Sequence, residues 1–242
     1  MADLMTSLIQ ETPVETHRLV LSGGGAVTGL IIVDEVNGFA TVGGGNLAPP
    51  SENAQVARMV EETDRLARCF TAQGWPILAF LDTHEPGKPE PPYPPHCEAG
   101  TGEEELVDQL KWLEDDANAT LVRKDCINGF IGAIGPDGRN AVVDWVNRTG
   151  VRDLLVVGIC TDICVMDFVL TMLSAHNHAM MPKCETICVH EGACATYDLP
   201  REVAKSLGLP ATASHPQGLT HHMGLYFMAA RGARIVNGVE VV

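Results

Sequence analysis

Three charged residues each close a short apolar run: Asp34 after GLIIV, Asp82 after WPILAFL and Lys124 after ATLVR. A fourth run, DLLVVGI (153–159), leads into CTDIC, so Cys164 falls in the first turn of the helix that must follow. Singly, each has an ordinary explanation: an aspartate at a strand end commonly caps a helix or forms a turn, and a cysteine in an apolar segment packs as a small hydrophobe. Together, two acids, an amine and a thiol at successive run ends are the parts of a nucleophilic hydrolase. A helix N-terminus and the charge of Lys124 would lower the thiol pKa. Asp34 can take the thiol proton and later return it to a leaving amine. Backbone N–H groups at Cys160 and Cys164 can hold a tetrahedral oxyanion. The chemistry is attack on an amide carbonyl, passage through a thioester, and release of ammonia and an acid.

A second set adjoins the first. Asp82 and His84 stand two apart in an extended segment and so point to the same side. His96 lies in YPPHC, just past a proline-rich loop from Glu85 to Pro95 that can close a site. Two imidazoles and a carboxylate suit one divalent metal ion with open positions, zinc first, with iron or manganese as alternatives. Glu90 on the same loop can supply a fourth ligand. The plainer reading is that His84 and His96 only hydrogen-bond within the loop. The pairs His176/His178 and His221/His222 read as exposed helix positions without a role. Cys160/Cys164 and Cys184/Cys188 lack the two-residue gap of a redox or zinc-knuckle motif, and read as structural apart from Cys164.

The apolar runs alternate with helical patterns, which implies βαβ units and a parallel sheet. Strands are expected at 29–34, 75–82, 119–124, 153–159, 184–190 and 233–236. Helices are expected over 51–73, 103–113, 139–148 (N-capped by Asp137 or Asn140), 161–178 and 216–230. The fold class is α/β: a doubly wound, about six-stranded parallel sheet between helix layers. Such sheets bind ligands at the carboxyl ends of their strands, which is where the charged residues stand. Residues 1–25 read as a variable N-terminal arm ended by Gly23, Gly24 and Gly25, and 26–242 as one domain. The 242 residues carry a net charge of −15, which argues against nucleic acid or an anionic membrane as the main partner. No leader and no membrane span is legible, so the expectation is a cytoplasmic protein with reduced cysteines.

The fragments VDEVNGF, DTH, PPYPPHC, RKDCINGF and GICTDICV resemble the isochorismatase-like cysteine hydrolases from about Gly29 to Val236, and plant-type nicotinamidases in particular. The resemblance implies a triad of Asp34, Lys124 and Cys164, and a metal held by Asp82, His84 and His96 with Glu90 as a further ligand. It implies a small-molecule substrate, nicotinamide, hydrolysed to nicotinate and ammonia in NAD salvage, with the pyridine nitrogen on the metal. Phe39, Tyr93 and Phe130 would flank the ring. A non-proline cis peptide would fall between Ile159 and Cys160, aiming the amides of Cys160 and Cys164 at the oxyanion, and the protein would be a homo-oligomer. Two other readings remain: an amidase for a carbamoyl or ureido substrate, which shares the triad, and a non-catalytic binding module, which the filled triad disfavours.

Overall fold

The computed structural model describes residues 2–22, 27–88 and 90–242. The glycines that end the expected arm, Gly23 to Gly25, lie outside the described residues. Seven strands are present among the described residues: β1 (Thr16–Leu21), β2 (Thr28–Val33), β3 (Ile77–Asp82), β4 (Ala119–Lys124), β5 (Asp153–Ile159), β6 (Thr186–Ala195) and β7 (Arg234–Val241). They form one sheet in the order β1-β7-β6-β5-β2-β3-β4, and every pairing is parallel. The helices are α1 (Ala2–Glu11), α2 (Asn37–Ala40), α3 (Ala54–Ala72), α4 (Gly129–Gly132), α5 (Ala141–Thr149), α6 (Met166–Asn177), α7 (Arg201–Ser206) and α8 (Gln217–Ala230).

Side chains alternate along a strand, so each central strand feeds two cores. Ile31, Val33, Leu78 and Phe80 pack on one face with Trp145 of α5, Phe168 of α6 and Leu225 of α8. Leu30, Ile32, Ile77, Ala79 and Leu81 pack on the other with Met59, Leu66 and Phe70 of α3. Each such fully buried side chain contributes about 1.5–3 kcal/mol. Helix starts follow local chemistry: the Asn53 side chain accepts from the Gln55 and Val56 N–H groups to open α3, and Asn140, rather than Asp137, does the same for α5. Gly150, at φ 70°, ends α5.

The expected parallel sheet is present and gains one edge strand: residues 16–21, read as part of the N-terminal arm, form its seventh strand among the described residues. Two helix expectations need correction. Residues 103–113 are not a helix; a short 3₁₀ turn at Lys111–Asp115 is all that forms. The acids there are spent on loop backbone instead. Glu104 accepts from the N–H groups of Gly100 and Gly102, and Glu103 from that of Cys97. The expected helix over 161–178 begins as a wide π-type turn, Thr161–Val165, before α6.

The sheet order reverses between β2 and β5. There the carboxyl ends of adjacent strands diverge and leave a crevice. Gly158 makes the close approach possible. Its φ is 123°, and a Cβ there would lie 2.1 Å from the Val33 carbonyl oxygen, so no other residue fits.

Candidate active site

Asp34 follows β2, Asp82 ends β3, Lys124 ends β4 and Cys164 lies in the turn after β5, so all four meet at the crevice. Asp34 adopts φ 55°, an uncommon conformation for a residue with a Cβ. Lys124 is the centre of the arrangement. Its ammonium lies 2.8 Å from Asp34 Oδ2 and 2.7 Å from Asp82 Oδ1, and it donates to the Cys126 carbonyl at 2.9 Å. All three of these charged side chains are out of solvent. Burial raises the Asp34 pKa to about 7, although Lys124 opposes it and the Cys164 thiol lowers it further. Burial also pushes the Cys164 thiol well up, against the pull of Lys124. This corrects the expectation of a depressed thiol pKa: desolvation outweighs the lysine and the helix start. Burial thus favours the neutral thiol, beside a carboxyl that burial also favours in its neutral form.

The second set converges on one oxygen. His84 Nε2 lies 3.0 Å and His96 Nε2 3.3 Å from Asp82 Oδ2, and the ligand-capable atoms of the three residues all lie within 4.8 Å of one another. His96 Nδ1 is 2.8 Å from the Pro94 carbonyl. A carbonyl only accepts, so Nδ1 carries a proton, and Nε2 is the nitrogen turned toward Asp82. Glu90 Oε2 is 3.7 Å from His84 Nε2 and 3.6 Å from His96 Nε2, while its other oxygen accepts from the Ile127 N–H at 2.9 Å. Two nitrogens and a carboxylate, buried together and oriented by second partners, fit a divalent cation of the zinc or iron type. Asp82 belongs to both sets: one oxygen holds Lys124 and the other faces the imidazoles.

A mostly apolar cavity opens onto both sets, lined by Phe39, Tyr93, His96, Ile163, Cys164 and Tyr197 among others. Phe39 and Tyr93 flank His96, with ring centroids 5.6 and 6.1 Å away. The Ile159–Cys160 peptide is cis. The Cys160 carbonyl accepts from Ile163 and Val165 N–H groups. Phe130, expected beside the substrate, does not line the cavity. It follows the cap residue Asn128, whose side chain accepts its N–H, and α4 turns its ring into the core, leaving 7% exposed. Nor is the pair His221/His222 simply exposed: His221 bonds to Thr161 Oγ1 at 2.8 Å and His222 to the Thr12 carbonyl at 2.9 Å. Tyr197 was missed. It follows β6, and the rule of reading strand ends applies to it as it does to Asp34 and Lys124. Glu35 was missed as well. It is fully buried, and its Oε1 accepts from Thr63 Oγ1 at 2.6 Å.

Comparison with known proteins agrees with this geometry. The family model described as Isochorismatase domain matches residues 28–209. Nicotinamidase 1 of Arabidopsis thaliana is 50% identical over 237 residues, covering 98% of this chain and 96% of that protein. The crystal structure of nicotinamidase PncA from Bacillus subtilis superposes with a TM-score of 0.64 at 22% identity, covering 87% of this chain and 99% of that one. The pyrazinamidase of Pyrococcus horikoshii, solved in complex with zinc, gives a TM-score of 0.60 at 20% identity over 87% of this chain and 99% of its own. These last two establish likeness of fold.

Proposed function

The chain belongs to the isochorismatase family, and from that premise we propose that it is a nicotinamidase, hydrolysing nicotinamide to nicotinate and ammonia through a thioester on Cys164. It is an amide hydrolase, and its product feeds NAD salvage. The observation that carries the reading is the placement of Lys124 between Asp34 and Asp82, with the Cys164 thiol and the His96 imidazole on the same cavity.

Asp34, Lys124 and Cys164 act as the triad. As sulfur attacks the carboxamide carbon, its proton passes to Asp34, whose raised pKa suits it to hold that proton near neutral pH. The N–H groups of Cys160 and Cys164 take the oxyanion. Collapse breaks the C–N bond, Asp34 returns the proton to nitrogen, and ammonia leaves. Asp34 then deprotonates water, which attacks the thioester; nicotinate departs and the proton returns to sulfur. Lys124 keeps Asp34 and Asp82 in place throughout and offsets their charge. Phe39 and Tyr93 bracket the substrate ring.

Asp82, His84 and His96 would hold a divalent metal, zinc by ligand type, with Glu90 facing the same point. When bound, such an ion supplies a Lewis-acid docking point for a ring nitrogen. The test is ammonia release from nicotinamide with metal content measured on the same sample. Turnover is expected, is lost on chelation and is restored by zinc. His84→Ala is expected to lose both metal and turnover. Bound metal with no turnover of nicotinamide, but turnover of a carbamoyl compound, would move the substrate and keep the triad.

A further inference from the structure

A network outside both sets reaches into the same cavity. Tyr197 lines that cavity next to Cys160 and Cys164. Its ring is stacked on His215, centroids 3.7 Å apart and planes 12° apart. His215 is buried, at 8% exposure, and is held by the backbone on both sides: its N–H donates to the Leu199 carbonyl at 2.7 Å and its carbonyl accepts from the Leu199 N–H at 2.8 Å. Nδ1 lies 2.9 Å from the Tyr197 carbonyl and 3.4 Å from Thr220 Oγ1, and Nε2 lies 2.8 Å from Asp162 Oδ2. Neither a carbonyl nor an ionised carboxylate can donate, and the Thr220 hydroxyl donates to the Pro216 carbonyl instead, so hydrogen on both nitrogens, an imidazolium, satisfies every partner. Asp162 raises its pKa in the same direction, against the effect of burial. The cation therefore lies on the face of Tyr197, an attractive arrangement. The other oxygen of Asp162 accepts from Thr196 Oγ1 at 2.7 Å. Asp162 belongs to the turn that carries Cys164, whereas Thr196 and Tyr197 follow β6 and His215 precedes α8. The approach of α8 to this turn is close enough that a Cβ on Gly224 would lie 2.8 Å from the Cα of Asp162.

We propose that Tyr197 is a substrate-ring wall of the cavity and that His215, clamped by Asp162, is the positioning residue that sets the Tyr197 ring. A flat aromatic amide entering beside Cys164 meets Tyr197 as well as Phe39 and Tyr93, and aromatic contact of that kind strengthens binding of the ring. The clamp ties this wall to the nucleophile turn, so ring and sulfur keep a fixed relation. The inference rests on the nicotinamidase reading.

The experiment is steady-state kinetics with nicotinamide on the full-length, metal-loaded protein. Tyr197→Phe keeps the ring and is expected to leave KM within about twofold. Tyr197→Ala is expected to raise KM about tenfold or more with kcat within about threefold. His215→Ala is expected to raise KM similarly, and adding it to Tyr197→Ala should raise KM no further, because its effect on binding travels through the ring. A merely structural histidine would lower the melting temperature and add its own effect to that of Tyr197→Ala. An active enzyme whose KM is unmoved by Tyr197→Ala overturns this inference alone. If His215→Ala does not fold, the two Tyr197 variants still decide whether the ring is a wall. A wild-type protein silent on nicotinamide overturns the substrate reading and this inference together.

Discussion

At the scale of the residue, the site is governed by burial acting on charge. Lys124 carries two buried carboxylates, and removal of either end of such an arrangement leaves an uncompensated ion in a low-dielectric crevice. Cys164 is different, because its thiol is neutral at rest. Cys164→Ala is expected to lower turnover by about a thousandfold or more while leaving the unfolding midpoint nearly unchanged, as measured by ammonia release and urea melts. Glu35 offers a pH test. Burial raises its pKa from 4.5 to about 8, and the hydrogen bond from Thr63 opposes this only in part. The folded protein keeps that proton while the unfolded chain releases it above pH 4.5. Stability at this group is thus full below that pH, and is lost at up to about 1.4 kcal/mol per pH unit until Glu35 ionises near pH 8. Glu35→Gln should flatten the decline in urea midpoint between pH 5.5 and 8; an unchanged slope would show that other groups set it. Asp34, Asp82, Lys124 and Cys164 were legible because each ends an apolar run or begins the helix after one. Asp162 and His215 were not, because partners tens of residues apart meet only through the crossing of α8 over the nucleophile turn.

At the scale of the element, hydrophobic patterning identified the central strands and the longer helices, because helices on both faces demand continuous apolar runs. It failed where polar side chains serve the backbone. The acids of 103–110 mimic the first turn of a helix, yet their carboxylates are tied to loop N–H groups, and no helix forms. It failed also at β1, whose sequence THRLVL is half exposed and only half apolar, as befits a sheet edge. The junction of β2 with β5 carries the sharpest expectation. Gly158→Ala places a methyl group against the Val33 carbonyl in a conformation that L-residues rarely adopt. A loss of at least about 3 kcal/mol is expected in urea unfolding. Because β5 leads directly to Cys160 and Cys164, the folded remainder should also show reduced kcat.

At the scale of the whole molecule, the ends of the chain close one side of the sheet. Residues Thr16 to Leu21 pair with Ile235 to Val241, and the Val242 N–H donates to the Leu21 carbonyl at 2.8 Å. Among the described residues no helix is long and apolar enough to cross a membrane. Deleting residues 2–22 uncovers the whole of β7 and the buried Leu21 contact. A melting temperature lower by roughly 4–8 °C, with greater self-association on size exclusion, is the expected result. The pairing also orders events during synthesis. A ribosome releases β1 well before β7, so the first strand waits, unpaired, until β7 has been made, and this edge of the sheet can close only once β7 has cleared the exit tunnel.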